Sequence, residues 1–320
     1  MVSRLLQQPS KRVPPVSGRS IIALAGARGD LGARIARALI ERGAEVRALL
    51  PPGVGAEEQL QLEGIGAAVV LADPDDVGAM ADACAGAGCV VSALNGLGGV
   101  IVGRQGRLLE AAIMARVPRF IPSDFCADFT KTQPGQNRNF DLRREFMALA
   151  DRAPIATTSI FNGAFMDMLG AEMPLIQPRI RRVLYWQSAD QLLDFTTKDD
   201  VATYTAAAAL DPDTPRILRI AGDSLSARGI AAIMSTVSAE RYRLLWAGTV
   251  GTLGAMIGIT KLLAPQPEAT FPAWQGMQYM RDQFSGRAKL SPLDNARYPE
   301  LRWTSARDYL AALVGTKEMS

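Results

Sequence analysis

Short apolar runs alternate with stretches of helical period along the first half of the chain. The runs are residues 21–25, 45–50, 67–71, 89–93, 119–121 and 156–161. Between them, residues 31–42, 56–62, 75–83, 105–115 and 140–151 place apolar positions on one helical face. This βαβ alternation predicts an α/β protein, a Rossmann-type doubly wound parallel sheet with a smaller C-terminal lobe. Gly43 falls at the C′ place of the first helix, and Pro118 ends the helix that stops near residue 115. After Phe161 the rhythm changes. Strands are expected at 192–196 and 217–221, and helices at 201–210, 271–284 and 304–314. Ser224 or Ser226 is expected to cap a further helix running through Ile233.

The first apolar run leads directly into Gly26-Ala27-Arg28-Gly29-Asp30-Leu31-Gly32, and the helix opens there. A glycine turn between strand and helix lets backbone approach a pyrophosphate. The helix N-terminus then offers free N–H groups and a positive dipole end. Gly26, Arg28, Gly29, Asp30, Leu31 and Gly32 are therefore candidate dinucleotide contacts. The spacing is G-x-x-G-x-x-G, the variant of extended and atypical short-chain dehydrogenases. The second strand ends in Leu50-Pro51-Pro52-Gly53, with neither an acid for a ribose 2′-hydroxyl nor an arginine for a 2′-phosphate. Arg28 is the nearest guanidinium that suits a phosphate, so NADP is expected and NAD stays open. An arginine that merely bonds the turn explains Arg28 equally well. Asp73 ends the third strand at the expected adenine edge, or else caps the helix from residue 75. Ala93, Leu94 and Asn95 should pass along the cofactor, and Phe161 and Asn162 should lie near the nicotinamide. The expected layout is a tail at 1–18, a dinucleotide-binding domain at 19–162 with 190–221 packing back onto it, and a substrate region at 163–320.

The 320 residues carry a net charge of +3, with no histidine and three cysteines. Without histidine there is no imidazole metal site, Ser-His-Asp triad or imidazole proton shuttle. Cys84, Cys89 and Cys126 lack metal-type spacing, so no metal is expected and a reduced, cytoplasmic setting fits. No basic cluster interleaved with aromatics suggests nucleic acid. The first 19 residues are basic but lack the apolar core of a secretion signal. Residues 244–260 are uncharged and contain Gly248, Gly251 and Gly254 at the same spacing as the first glycine motif. The expectation is a buried, tightly packed helix pair beside the substrate region, with a membrane-surface role as the alternative and no stable membrane span. A monomer or homodimer acting on a small molecule is expected.

Short-chain reductases usually draw a proton from Tyr-x-x-x-Lys. None of the six tyrosines has a lysine four residues on. A different run, Arg119-Phe120-Ile121-Pro122-Ser123-Asp124-Phe125, ends the fifth strand, at the sheet edge where ligands bind in open α/β folds. With the glycine turn and the segment Phe195-Thr196-Thr197-Lys198-Asp199-Asp200-Val201-Ala202, this run resembles the NmrA-like and isoflavone-reductase-like group of atypical short-chain dehydrogenases/reductases. The resemblance covers roughly residues 20 to 315 and implies an NAD(P)-dependent oxidoreductase. In that group a lysine about twenty residues after the Pro-Ser-Glu-Phe run contacts the nicotinamide ribose and serves as acid or base. Here that position is Arg143, which cannot release a proton near neutral pH.

Arg143, Asp124 and Ser123 are thus the candidate catalytic residues, with Ser123 and Arg143 also placed against the nicotinamide ribose. A capping role explains Asp124 as well. Lys131 would substitute only if its loop folded back. Trp186, Phe165, Met166, Trp246 and Phe271 are candidates for an apolar pocket or for plain core. Two functions follow: an NADPH-dependent reductase of a small apolar or aromatic compound, or a non-catalytic NAD(P)-sensing regulator.

Overall fold

The computed structural model describes residues 20–170 and 173–316; the expected tail at 1–18 lies outside them. The first half runs β1 (Ile21–Ala25), α1 (Asp30–Glu41), β2 (Glu45–Leu50), α2 (Ala56–Gly64), β3 (Ala68–Leu71) and α3 (Val77–Cys84). It continues with β4 (Cys89–Ser92), α4 (Gln105–Met114), β5 (Arg119–Ile121), α5 (Arg138–Ala150) and β6 (Ala156–Thr157). These six strands form one parallel sheet in the order β3-β2-β1-β4-β5-β6. The order reverses between β1 and β4, which opens a crevice at their carboxyl ends. The two-residue period of β1 shows why the sheet is doubly covered. Ile22 and Leu24 pack into one core with Ile35 and Leu39 of α1, whereas Ala23 and Ala25 pack into the other with Met80 of α3 and Leu108 of α4.

Two details depart from the simple alternation. A π-helical turn, Gly99–Arg104, precedes α4 and extends it backwards. The run at 156–161 is not one strand. It breaks at Thr158, where β6 leaves β5 and β7 (Ser159–Phe161) pairs with a later strand. Ser159 N–H donates to the Arg216 carbonyl at 2.9 Å, which fixes the change of partner.

The second half contains β8 (Ala164–Phe165), β9 (Ile176–Gln177), β10 (Arg182–Tyr185), β11 (Leu193–Thr196), α6 (Lys198–Leu210) and β12 (Ile217–Arg219), the partner of β7. Then come β13 (Asp223–Leu225), α7 (Ala227–Val237), β14 (Arg243–Trp246), α8 (Val250–Leu263), α9 (Ala273–Phe284) and α10 (Ala306–Gly315). Ser226, not Ser224, caps α7 by accepting from Gly229 N–H. Helix α6 returns to the first lobe, where Val201, Tyr204 and Ala208 share the core of β1 and α1. Arg119 binds its C-terminal end, donating to the carbonyls of Ala208 and Asp211 and to the Thr214 hydroxyl. A cation on the last carbonyls of a helix satisfies orphan acceptors and opposes the dipole. Met166, Trp186, Phe195, Ile230, Met234, Phe284 and Leu310 build a separate core in the second lobe. Of the pocket candidates, Met166 and Trp186 are buried in that core, Phe165 is half-buried, and Trp246 and Phe271 are exposed.

The expected buried helix pair at 244–260 is not found. Its first residues form edge strand β14, and α8 alone follows. Only Leu253 and Ile257 of α8 are buried, while Met256, Ile259, Leu262 and Leu263 face outward, Leu262 at 82% exposure. Nothing among the described residues covers the outward face, because α8 packs chiefly against α9. No helix among the described residues is long and apolar enough to cross a membrane.

Candidate functional site

The glycine turn sits where β1, α1 and the β4 loop converge, and its shape requires glycine at two places. Gly26 adopts φ +85°, and a Cβ there would lie 2.6 Å from the Ala93 carbonyl oxygen. A Cβ on Gly32 would lie 2.0 Å from the Gly26 carbonyl oxygen. Such separations are impossible, so larger residues would force the turn open. Gly29 is the N-cap of α1 and supplies no side-chain acceptor, which leaves the first-turn N–H groups without a capping side chain. A pyrophosphate suits this cradle on both shape and charge.

The side chains around the turn are differently employed. Asp30 accepts from Lys198 at 2.8 Å and from Arg34 at 2.7 Å. These bonds, that of Lys198 foremost, hold its carboxyl below the usual range, so Asp30 joins α1 to α6. Arg28 is half-exposed and reaches Glu58 of α2 at 3.0 Å. Its guanidinium therefore stands beside the β2–α2 corner, where the end of β2 lacks a charged residue. Asp73 is exposed; its Oδ1 accepts from Asp75 N–H at 2.9 Å, while α3 is capped by Asp76. Leu31, Ala93 and Leu94 are half-buried, and Asn95 is exposed.

Across the crevice, Ser123 is a junction. Its hydroxyl donates to the Leu94 carbonyl at 2.6 Å, and its N–H donates to Gln105 Oε1 at 2.9 Å. Its own carbonyl accepts from Arg143 Nε at 3.2 Å. Arg143 Nη1 also donates to the Asn139 carbonyl at 3.1 Å, and the side chain is 8% exposed. The β4 loop, α4, the β5 loop and α5 thus meet around two residues. Gln105, fully buried, was not recognisable from sequence as part of this junction.

Asp124 points the other way. It is fully buried, accepts from the Ser159 hydroxyl at 2.6 Å, and leaves Oδ1 without a partner. Burial raises its pKa, against the opposing Ser159 bond and the Arg143 charge. Asn162 is equally sealed; neither side-chain atom has a partner, and its N–H donates to the Cys126 carbonyl at 2.9 Å. Phe161 packs edge-on to Phe129 at 5.0 Å. Lys131 stays away from Arg143: its Nζ donates to the carbonyls of Lys289 and Ser291 at 3.1 and 3.0 Å. Tyr279, from α9, lies against Phe140 of α5 with ring centroids 5.1 Å apart. Sequence gave no sign of this neighbour of Arg143, since α9 enters from the far lobe. All three cysteines are free, and burial lifts the Cys126 thiol to about 12. Among the described residues no group of His, Cys, Asp or Glu could hold a metal ion.

A parallel sheet reversing order at β1 and β4, with an uncapped glycine turn at the reversal, defines a Rossmann-type α/β protein. A family model described as NmrA-like matches residues 18–246, and the chain belongs to the NmrA-like family. Pinoresinol reductase 1 of Arabidopsis thaliana is 29% identical over 209 residues, covering 60% of this chain and 65% of that relative. The chain therefore matches just under two thirds of that relative's length. A solved structure of AtPrR2 with NADP+ and (+)pinoresinol superposes with a TM-score of 0.79 at 20% identity, covering 93% of this chain and 100% of the other. A crystal structure of isoflavone reductase gives a TM-score of 0.77 at 20% identity, covering 92% of this chain and 99% of the other. At those identities the superpositions establish the fold.

Proposed function

We propose that the chain is an NADPH-dependent reductase of a small aromatic or otherwise apolar compound. The observation that carries this reading is the pairing of a glycine cradle with a polar junction, Ser123 and Arg143, at the carboxyl edge of one sheet. The N–H groups at the start of α1 would hold the pyrophosphate, and Arg28, freed from Glu58, would hold a 2′-phosphate bidentately. When bound, NADPH supplies a hydride. Ser123 and Arg143 would fix the ribose nearby, and the Arg143 charge would stabilise negative charge developing on a substrate oxygen. The relatives named for pinoresinol and isoflavone reduction support an oxygenated aromatic substrate.

Two measurements test this. Calorimetry should give heat with NADPH and weaker binding with NADH. NADPH oxidation at 340 nm should then be followed against aromatic ketones, aldehydes, enones and furofuran lignans. Turnover of at least one class is expected. Micromolar binding with no turnover across the panel would replace the reductase with a non-catalytic NAD(P) sensor, the reading favoured by arginine at the position of the family's lysine.

A further inference from the structure

One stretch of chain, residues 93–104, links the glycine turn to the helix of Arg143. It starts where a Cβ on Gly26 would lie 2.6 Å from the Ala93 carbonyl oxygen. Its Leu94 carbonyl accepts from the Ser123 hydroxyl at 2.6 Å. At Gly98 it reaches α5, where an added Cβ would touch Leu142 Cδ2 at 3.4 Å, one residue before Arg143. The stretch closes in the π-helical turn Gly99–Arg104. Such turns are rare and gather at functional sites.

Gln105 follows that turn and is fully buried. Its amide is used at both ends. Nε2 donates to the Ile101 carbonyl of the π-helical turn at 3.2 Å, and Oε1 accepts from the Ser123 N–H at 2.9 Å. A carbonyl can only accept and a backbone N–H can only donate, so one orientation of the amide is allowed. On the other side of Ser123, its carbonyl accepts from Arg143 Nε at 3.2 Å. Ser123 is thus held through its hydroxyl by Leu94, through its N–H by Gln105 and through its carbonyl by Arg143. Gln105 is the link that joins this arrangement to the π-helical turn. In dry surroundings, leaving either partner of Gln105 unpaired is costly.

We infer that Gln105 is a positioning residue for the nicotinamide half of the cofactor: it fixes Ser123 to the π-helical turn and so sets where Ser123 and Arg143 meet the ribose. The inference rests on the reductase reading, which puts those two residues at that ribose. Being fully buried, Gln105 acts through Ser123 and not on the cofactor itself. The adenosine half is held elsewhere in that reading, by the start of α1 and by Arg28. The two halves of NADPH should therefore respond differently to the loss of Gln105.

The test uses the whole chain. Gln105→Leu removes both hydrogen bonds at nearly constant volume. NADPH should bind about 10-fold more weakly, the worth of one net hydrogen bond, while 2′,5′-ADP, which has no nicotinamide, should keep its affinity within about twofold. With a panel substrate, kcat should fall about 100-fold, as for a reacting group displaced by about 1 Å.

Gln105→Glu gives a reading that a merely structural role would not move. A neutral carboxyl copies the amide, accepting from Ser123 and donating to Ile101. A carboxylate has no proton for the Ile101 carbonyl and repels it. Burial raises a carboxyl pKa toward neutrality. Relative to the unaltered protein at each pH, Gln105→Glu should approach full NADPH affinity and kcat near about pH 6 and lose both as its carboxyl ionises toward about pH 8.5. Should Gln105→Leu fail to fold, Gln105→Glu carries the comparison of NADPH with 2′,5′-ADP across the same range. If the two ligands weaken equally, if Gln105→Leu keeps kcat within threefold, or if Gln105→Glu follows the pH profile of the unaltered protein, Gln105 serves the fold alone. The positioning role then fails while the reductase reading stands. If the unaltered protein binds NADPH yet reduces no panel member, the reductase reading fails, and the ratio of the two affinities still decides the role of Gln105.

Discussion

Gly26, Gly29 and Gly32 share their spacing with Gly248, Gly251 and Gly254. In the first triplet, two glycines are walled in by backbone from another loop or from the turn itself, within 2.6 and 2.0 Å of an added Cβ. In the second, Gly248 meets only the Thr252 side chain, Gly251 has ordinary contact at 3.5 Å, and Gly254 meets nothing within 4 Å. The N-caps differ as well. Gly29 leaves the N–H groups of α1 open, whereas Thr249 accepts from Thr252 N–H and closes those of α8. Glycine spacing by itself does not make an anion site. Enclosure at a sheet's switch point and an uncapped helix do.

The strongest way to break this contrast is Gly32→Ala. Its Cβ must displace the Gly26 carbonyl, and overpacking of that kind costs about 3 kcal/mol. Calorimetry should show dinucleotide binding weakened beyond detection, and the melting temperature should fall. Retained NADPH affinity would remove the cradle from the proposed function.

A smaller effect is expected of Arg28→Ala. Losing a charge-assisted pair costs roughly 2 kcal/mol, or about 30-fold, in affinity for NADPH. NADH affinity should change less than twofold. Equal losses for both cofactors would assign Arg28 to the turn rather than to a 2′-phosphate. The smallest change should follow Gly254→Ala. In an open helix interior it should raise stability by about 0.5–1 kcal/mol, read by urea denaturation, with dinucleotide binding unaltered.

The parallel sheet was legible because its strands are short apolar runs punctuated by glycine and proline. Helix ends moved by no more than a few residues, as with α1, expected at 31–42 and found at Asp30–Glu41. What stayed hidden depends on long-range partners. The break at Thr158 is invisible because residues on both sides are equally strand-like, and only Arg216 and β12 decide it. The exposure of α8 is hidden for the opposite reason. A helix apolar on all sides reads as buried, yet the fold provides one wall and not two. In the junction, Ser123 and Arg143 stand on motif positions, whereas Gln105 and Tyr279 arrive from a helix interior and from the other lobe. Arg119 begins the most recognisable run in the chain, and its side chain serves the end of α6.

The segment from Ala156 to Phe161 has a thermodynamic consequence. One continuous stretch of backbone is woven into β5 on one side and β12 on the other. Ile160 and Leu218 both lie in the core of β1 and α1, so the chain leaves for the second lobe and returns from it through one shared core. The chain should denature as a single cooperative block. Its calorimetric endotherm should be one peak whose integrated heat equals the van't Hoff value.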